Sequence, residues 1–111
     1  MNTINSVNEI LDKEIKVMED RKELIILTKN LYKAISECKE LEGYEICLRG
    51  LPSNLYSAIE IWYKNLCRVL VEPSITSIEV SSYLSNKRKV IKWMNSITTT
   101  EEVLETIKSY L

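Results

Sequence analysis

The stretch Tyr44-Glu45-Ile46-Cys47-Leu48-Arg49-Gly50 alternates apolar and polar residues, a pattern typical of a β-strand with one buried face. It decides the fold, because a strand here needs a partner strand elsewhere in the chain. We identify no second alternating run, so we interpret residues 44–50 as an extended connection or one irregular helical turn. The chain has only two glycines and two prolines, which favours a few long helices over a turn-rich sheet protein.

The residues before this stretch follow the three- and four-residue spacing of an amphipathic helix. The apolar row consists of Ile4, Val7, Leu11, Ile15 and Met18. Asp20 and Glu23 fit a capping box, which would start a second helix near residue 21; one long helix with a joint at residues 18–23 is the alternative. Glu14 and Arg21 interrupt the row where a two-stranded coiled coil has apolar residues. We therefore favour packing inside a bundle.

The residues after position 50 are interpreted as further helices. A helix from about Asn54 to Val71 ends before Pro73, which cannot continue it. A short helix capped by Thr76 or Ser77 runs to Leu84, and Ser85-Asn86 is a turn. The helix that begins near Asn54 has its predicted core row at Leu55, Ile59, Trp62, Leu66 and Val69 or Leu70. A basic helix is predicted from Lys87 to about Ile97. The last helix has a Thr99–Glu102 capping box, with Val103 and Ile107 in the core. The sequence thus predicts an all-α fold, a single small bundle of five or six helices over residues 1–111.

Composition argues against catalysis within this chain. Histidine, the commonest general base and nitrogen ligand of metals, is absent. The cysteines at positions 38, 47 and 67 form no Cys-x-x-Cys pair, so we predict no metal site and expect reduced thiols packed as small apolar side chains. The formal net charge is −1, and no apolar run is long enough to cross a bilayer. We expect a cytoplasmic protein with no catalytic residues and no intrinsic cofactor.

The predicted basic helix carries the functional hypothesis. No acidic residue occurs between Glu79 and Glu101, and a helical projection puts cations opposite an apolar face of Val90, Trp93, Met94 and Ile97. Cations one turn apart can contact successive phosphates, and Trp93 could stack on an unpaired base. For Trp93 a place in the core is the favoured interpretation, and for the cations a solvated helix face is the alternative. The candidate DNA-binding residues are Lys87, Arg88, Lys89, Lys92, Trp93, Asn95 and Asn86, with Tyr63, Lys64 and Arg68 as an extension.

Two resemblances refine this hypothesis. Residues 81–96 resemble a helix-turn-helix unit, with Ser81, Leu84, Val90 and Trp93 in its apolar and small positions, although the turn is one residue short and lacks glycine. The size, the helical pattern, the Phe-free composition and the segment Asn86–Trp93 resemble the small helical bundle that follows the catalytic domain in archaeal plasmid primase–polymerases of the archaeo-eukaryotic primase superfamily.

The second resemblance implies an accessory module excised from a longer replication protein. Such a module binds single-stranded template DNA, and nucleotides such as ATP as ligands, beside a catalytic primase domain in cis that holds the metal-binding carboxylates. We therefore predict a nucleic-acid-binding module in DNA replication and primer synthesis. The alternatives are a helical adaptor for protein–protein interaction and a helix-turn-helix regulator that binds double-stranded DNA.

Overall fold

The computed structural model of the protein describes residues 4–52 and 56–111, with the side chains of all of these except residues 4, 5 and 96. In this part of the chain, five strands lie between two helices. The elements are α1 (Ile4–Ser36), a 3₁₀ turn (Lys39–Leu41), β1 (Glu45–Leu51), β2 (Tyr56–Tyr63), β3 (Leu66–Pro73), β4 (Ser77–Ser82), β5 (Arg88–Lys92) and α2 (Ser96–Ser109). The fold is α+β, and the predicted all-α bundle of five or six helices is wrong.

The strands form one antiparallel sheet in the order β1-β2-β3-β4-β5, so every strand pairs with its neighbour in sequence. β2 and β3 are joined by Lys64 and Asn65, which both have positive φ, as a type I′ hairpin turn requires. The predicted helix over residues 54–71 is wrong, because this turn falls in its middle. Residues 53–55, including the expected core residue Leu55, lie outside the described chain.

One face of the sheet, called the inner face here, supplies the core. Cross-strand pairing brings its side chains into rows, for example Ile46 opposite Ile61 and Ile61 opposite Val69. The fully or almost fully buried members are Ile59, Ile61, Val69, Val71, Ile78, Val80 and Ile91. Leu31 and Ile35 of α1 and Val103 and Ile107 of α2 complete the same cluster. The two helices therefore pack on the inner face.

The first helix is continuous, so the alternative of one long helix is correct and the capping box at Asp20 and Glu23 is wrong. Between Val7 and Glu23 no side chain is buried; Leu24 is the first that is. The radius of gyration is 17.0 Å, whereas a compact chain of this length has about 13 Å. The N-terminal half of α1 therefore projects beyond the sheet, and the expectation that its apolar row packs inside a bundle is wrong.

The C-terminal helix is confirmed, with a different cap. Val103 and Ile107 are buried as predicted, but the helix begins at residue 96, and the Asn95 side chain accepts a hydrogen bond from the Thr98 backbone N–H at 2.8 Å. Thr99 is inside the helix, where its Oγ1 accepts from the Met94 N–H. The predicted Thr99–Glu102 capping box is therefore wrong.

Gly50 is expected to tolerate no side chain. Its φ is +75°, and a Cβ there would lie 2.8 Å from the Tyr56 carbonyl oxygen on the paired strand. We expect Gly50→Ala to lower the free energy of unfolding by about 2–3 kcal/mol, since left-handed backbone costs an L-residue roughly 1–2 kcal/mol and the contact adds to it. Gly43→Ala is the matched control, because Gly43 also has positive φ but open space around it. Equal losses in urea melts of the two variants would contradict the steric contribution.

Candidate functional site

The predicted basic helix is a strand. Arg88–Lys92 forms β5, whose side chains alternate between the two faces of the sheet. Register places Lys89 opposite Val80, on the inner-face side, and Arg88 opposite Ser81, on the outer face. The four cations therefore form no continuous ridge. The helix-turn-helix interpretation of residues 81–96 is also wrong, because this segment holds the end of β4, a loop and β5.

Two of the four predicted cations are neutralised within the protein. Arg88 Nε lies 2.8 Å from Glu79 Oε1, and Lys89 Nζ lies 3.0 Å from Glu102 Oε1. Lys87 and Lys92 are exposed and form no ion pair with any residue that the structure describes. The geometric basis of the nucleic-acid prediction is therefore lost. Binding of nucleic acid stays a prediction, and the structure adds no support for DNA binding, primase activity or ATP binding.

The other predicted contact residues have structural roles or none. Trp93 Nε1 donates a 2.6 Å hydrogen bond to the Ser74 carbonyl, and its ring packs against the core. Asn95 caps α2, and Asn86 lies in the β4–β5 loop. The apolar helix face expected around Trp93 is wrong, since Val90, Met94 and Ile97 are all exposed.

The proposed extension lies at the end of the sheet that also carries the β4–β5 loop. Lys64 Nζ lies 5.5 Å from the centre of the Tyr63 ring, and the Arg68 guanidinium lies 5.7 Å from it. Arg68 is the extra residue of a bulge, because Ile61 pairs with Val69 while Trp62 pairs with Cys67. Tyr83 N–H donates to the Arg68 carbonyl at 3.0 Å, so this hairpin and the β4–β5 loop are neighbours. Lys89 pairs with Glu102, and Lys92 lies at the other end of β5, so neither joins this group.

The outer face of the sheet carries carboxylates. Glu72 on β3 lies directly opposite Glu79 on β4, beside a surface depression of about 290 Å³ that Tyr56 and Val90 also line. Partial burial raises the pKa of the Glu72 carboxyl, the negative charge of Glu79 raises it further, and Arg88 opposes the shift. Among the described residues, no basic side chain lines the depression itself, but Arg88 pairs with Glu79, so the charge left without a partner here is the Glu72 carboxylate.

Glu72→Gln is expected to stabilise the protein at neutral pH. Because the folded-state pKa of Glu72 is raised, the folded protein keeps this proton to higher pH than the unfolded chain does. Stability is therefore lost as pH rises through the interval between the two pKa values, and the loss persists above it. We expect a gain of about 0.2–1 kcal/mol at pH 7, which disappears at acidic pH where both states are protonated. Urea melts at the two pH values measure it, with exposed Glu37→Gln as the control; a gain that is independent of pH would contradict this cause.

The apolar row on the N-terminal half of α1 was assigned to the core from the sequence, but it is exposed in the structure. We call residues 7–23 the projecting segment. Its large apolar side chains are between 40% and 69% exposed; they are Val7, Ile10, Leu11, Ile15, Val17 and Met18. The heptad spacing of this row was the available signal, since it is typical of a helix that binds another helix.

Other site types find little support in the described residues. Cys38, Cys47 and Cys67 are free thiols, of which Cys67 is buried, and burial is the first cause of a raised pKa at each of them. Raised thiol pKa values mean little thiolate at neutral pH, so reactivity is low. No group of three or more potential metal ligands occurs among residues 4–52 and 56–111. Neither described helix combines the length and apolar character needed to span a bilayer.

Comparisons of this chain with protein-family models, with curated proteins and with solved structures give no match. The resemblance to the primase accessory module therefore stays untested, although the helical architecture that it implied is wrong. The geometry of the projecting segment is the remaining guide to function.

Proposed function

We propose that this protein is a protein-interaction module that binds an apolar helical partner through the projecting segment. The observation that supports this is the exposed apolar row from Val7 to Met18 on a helix that extends away from its own core. This is the adaptor alternative predicted from the sequence, now on an α+β scaffold. Exposed apolar groups in a continuous row mark interaction sites on soluble proteins more often than scattered ones do.

The energetics of helix formation also favour a partner helix for the projecting segment. A helix in water gains most of its stability from tertiary packing of its apolar face rather than from residue propensity. The projecting segment contains no alanine and has Val7, Ile15 and Val17, whose β-branched side chains lower helix propensity. A partner helix along the row would supply the missing packing and cover the apolar surface in one step.

The test is affinity capture with the purified protein as bait and an extract of its source cells. We expect Leu11→Glu to reduce a captured partner at least about tenfold, since it puts a charge in the centre of the apolar row. Lys16→Glu, a charge reversal about 140° from Leu11 and on the side of the helix opposite Val7, is the matched control and should change nothing. Thermal melts confirm that both variants fold, which is expected because neither side chain is buried.

A second arm separates this function from nucleic-acid binding. Lys87→Gln/Lys92→Gln removes the two unpaired cations of the predicted DNA site while leaving the Arg88–Glu79 and Lys89–Glu102 pairs intact. The interaction module predicts unchanged partner capture for this variant. Salt-dependent binding of a labelled single-stranded oligonucleotide that this variant abolishes, with no effect of Leu11→Glu on capture, would favour the nucleic-acid hypothesis instead.

A further inference from the structure

Two opposite charges lie inside the apolar row of the projecting segment. In helical projection, Glu14 and Arg21 fall about 20° and 40° from Val7, between the positions of Val17 and Leu11. Neither forms an ion pair with any residue in the described chain. They are two turns apart on one helix, so their own side chains cannot meet. Any partner that covers the apolar row must also accommodate one carboxylate and one guanidinium.

The spacing of these residues is that of a coiled coil. Val7, Glu14 and Arg21 are seven residues apart and form one column, and Leu11, Met18 and Ile25 form a second column with the same period. Ile25 is also exposed, so the second column continues to the point where α1 joins the core. This heptad pattern predicts one neighbouring helix packed along the row.

We propose that the neighbouring helix is the projecting segment of a second copy of this chain, and that the two run antiparallel. In a parallel pair, Glu14 would face Glu14 of the other copy and Arg21 would face Arg21, which is repulsive at both levels. In an antiparallel pair with its two-fold axis level with residue 16, Glu14 of each copy lies within one turn of Arg21 of the other. The two-fold axis then gives two equivalent contacts between Glu14 of one copy and Arg21 of the other, so each charge in the row has a partner of opposite sign.

The dimensions of the molecule fit this arrangement. The projecting segment is about 26 Å long, and the sheet lies beyond its C-terminal end. Antiparallel pairing puts the two sheets at opposite ends of the helix pair, and Val7 of one copy lies beside Ile25 of the other. The columns then alternate, with Leu11 opposite the Arg21 column and Glu14 opposite Met18. The pair is short, so it belongs with weak and reversible interfaces. This inference rests on the proposed function, because it names the partner of the same surface.

Sedimentation velocity of the full chain between about 1 µM and about 1 mM, the range of weak complexes, tests the proposal. We expect the wild type to show a reversible monomer–dimer equilibrium. Leu11→Glu should weaken it at least about 100-fold, since it removes one buried leucine from each copy and adds a charge. Lys16→Glu should leave the dissociation constant unchanged. None of these side chains is buried in the monomer, so the variants retain the fold.

Charge exchange determines the orientation. Glu14→Arg and Arg21→Glu should each weaken the dimer about tenfold, because both inter-chain contacts become repulsive. The double variant Glu14→Arg/Arg21→Glu should restore wild-type affinity, since the two charges simply change places. A parallel pair would be repulsive in the wild type and in every variant, so it predicts neither the loss nor the restoration.

Three results would overturn the proposal. A wild type that stays monomeric throughout the concentration range excludes self-pairing. If Leu11→Glu still abolishes capture of a different protein, the proposed function stands although the dimer does not. A dimer that Leu11→Glu does not weaken forms through another surface. A dimer that the double charge variant does not restore is not antiparallel. A wild type that neither dimerises nor captures a partner would contradict the proposed function as well.

Discussion

Ile61→Ala will lower the free energy of unfolding by about 2–5 kcal/mol. Ile61 is fully buried on the inner face, where it pairs with Ile46 on one side and Val69 on the other. Truncation removes three methyl or methylene carbons from the centre of the sheet, and the flanking strands cannot close the space because cross-strand hydrogen bonds hold them apart. Urea melts followed by circular dichroism measure the loss.

Leu66→Ala is the control, and it separates the sheet from the helical alternative. Leu66 is 45% exposed in the sheet, so its truncation should cost less than about 1 kcal/mol. A helix over residues 54–71 would reverse the order, since it puts Leu66 in the buried row with Ile59 and turns Ile61 about 200° away from Ile59. A larger loss for Leu66→Ala than for Ile61→Ala would contradict the sheet.

Leu31→Ala will also cost about 2–5 kcal/mol, whereas Leu11→Ala will cost less than about 0.5 kcal/mol. Both leucines lie on α1, five to six turns apart. Leu31 is almost fully buried in the core between the helices and the sheet, while Leu11 is on the projecting segment. The difference therefore reports the division of one continuous helix into a packed half and a projecting half.

The comparison requires protein at low concentration, where any dimer is dissociated. At high concentration, pairing of the projecting segments would add stability to the wild type and increase the apparent cost of Leu11→Ala. Equal losses for the two variants at low concentration would mean that the N-terminal half of α1 packs against its own chain. A loss for Leu11→Ala that grows with concentration would support the interaction surface.

The error over residues 44–92 has a physical cause. β2 buries Ser57, Ala58 and Ile59 in succession, so it hides the two-residue period that marks a half-buried strand. Ile59 and Trp62 of β2 and Leu66 of β3 also fall at helical spacing by coincidence. β4 does alternate cleanly from residue 77 to residue 81, and it was the available signal that residues 44–50 have a sheet to join.

The candidate site was likewise only partly predictable from the sequence. The apolar heptad spacing of the projecting segment is visible in the sequence, and so are the charges of Glu14 and Arg21 that interrupt it. Whether this row is buried or exposed depends on where the sheet ends relative to the helix. Likewise, the pairing of Arg88 with Glu79 and of Lys89 with Glu102 joins residues that are distant in sequence and meet only through strand register and helix packing.

The sequence by itself determined the two helices at the ends of the chain, because helical hydrogen bonds and apolar spacing are local and fall within a few turns. It also determined the lack of histidine chemistry, which is a matter of composition alone. Only the tertiary structure decided that residues 45–92 form a sheet, that β5 divides its cations between two faces, and that the first half of α1 is left uncovered. Each of these depends on contacts between distant segments, and the free energy of such contacts is not contained in the local spacing of residues.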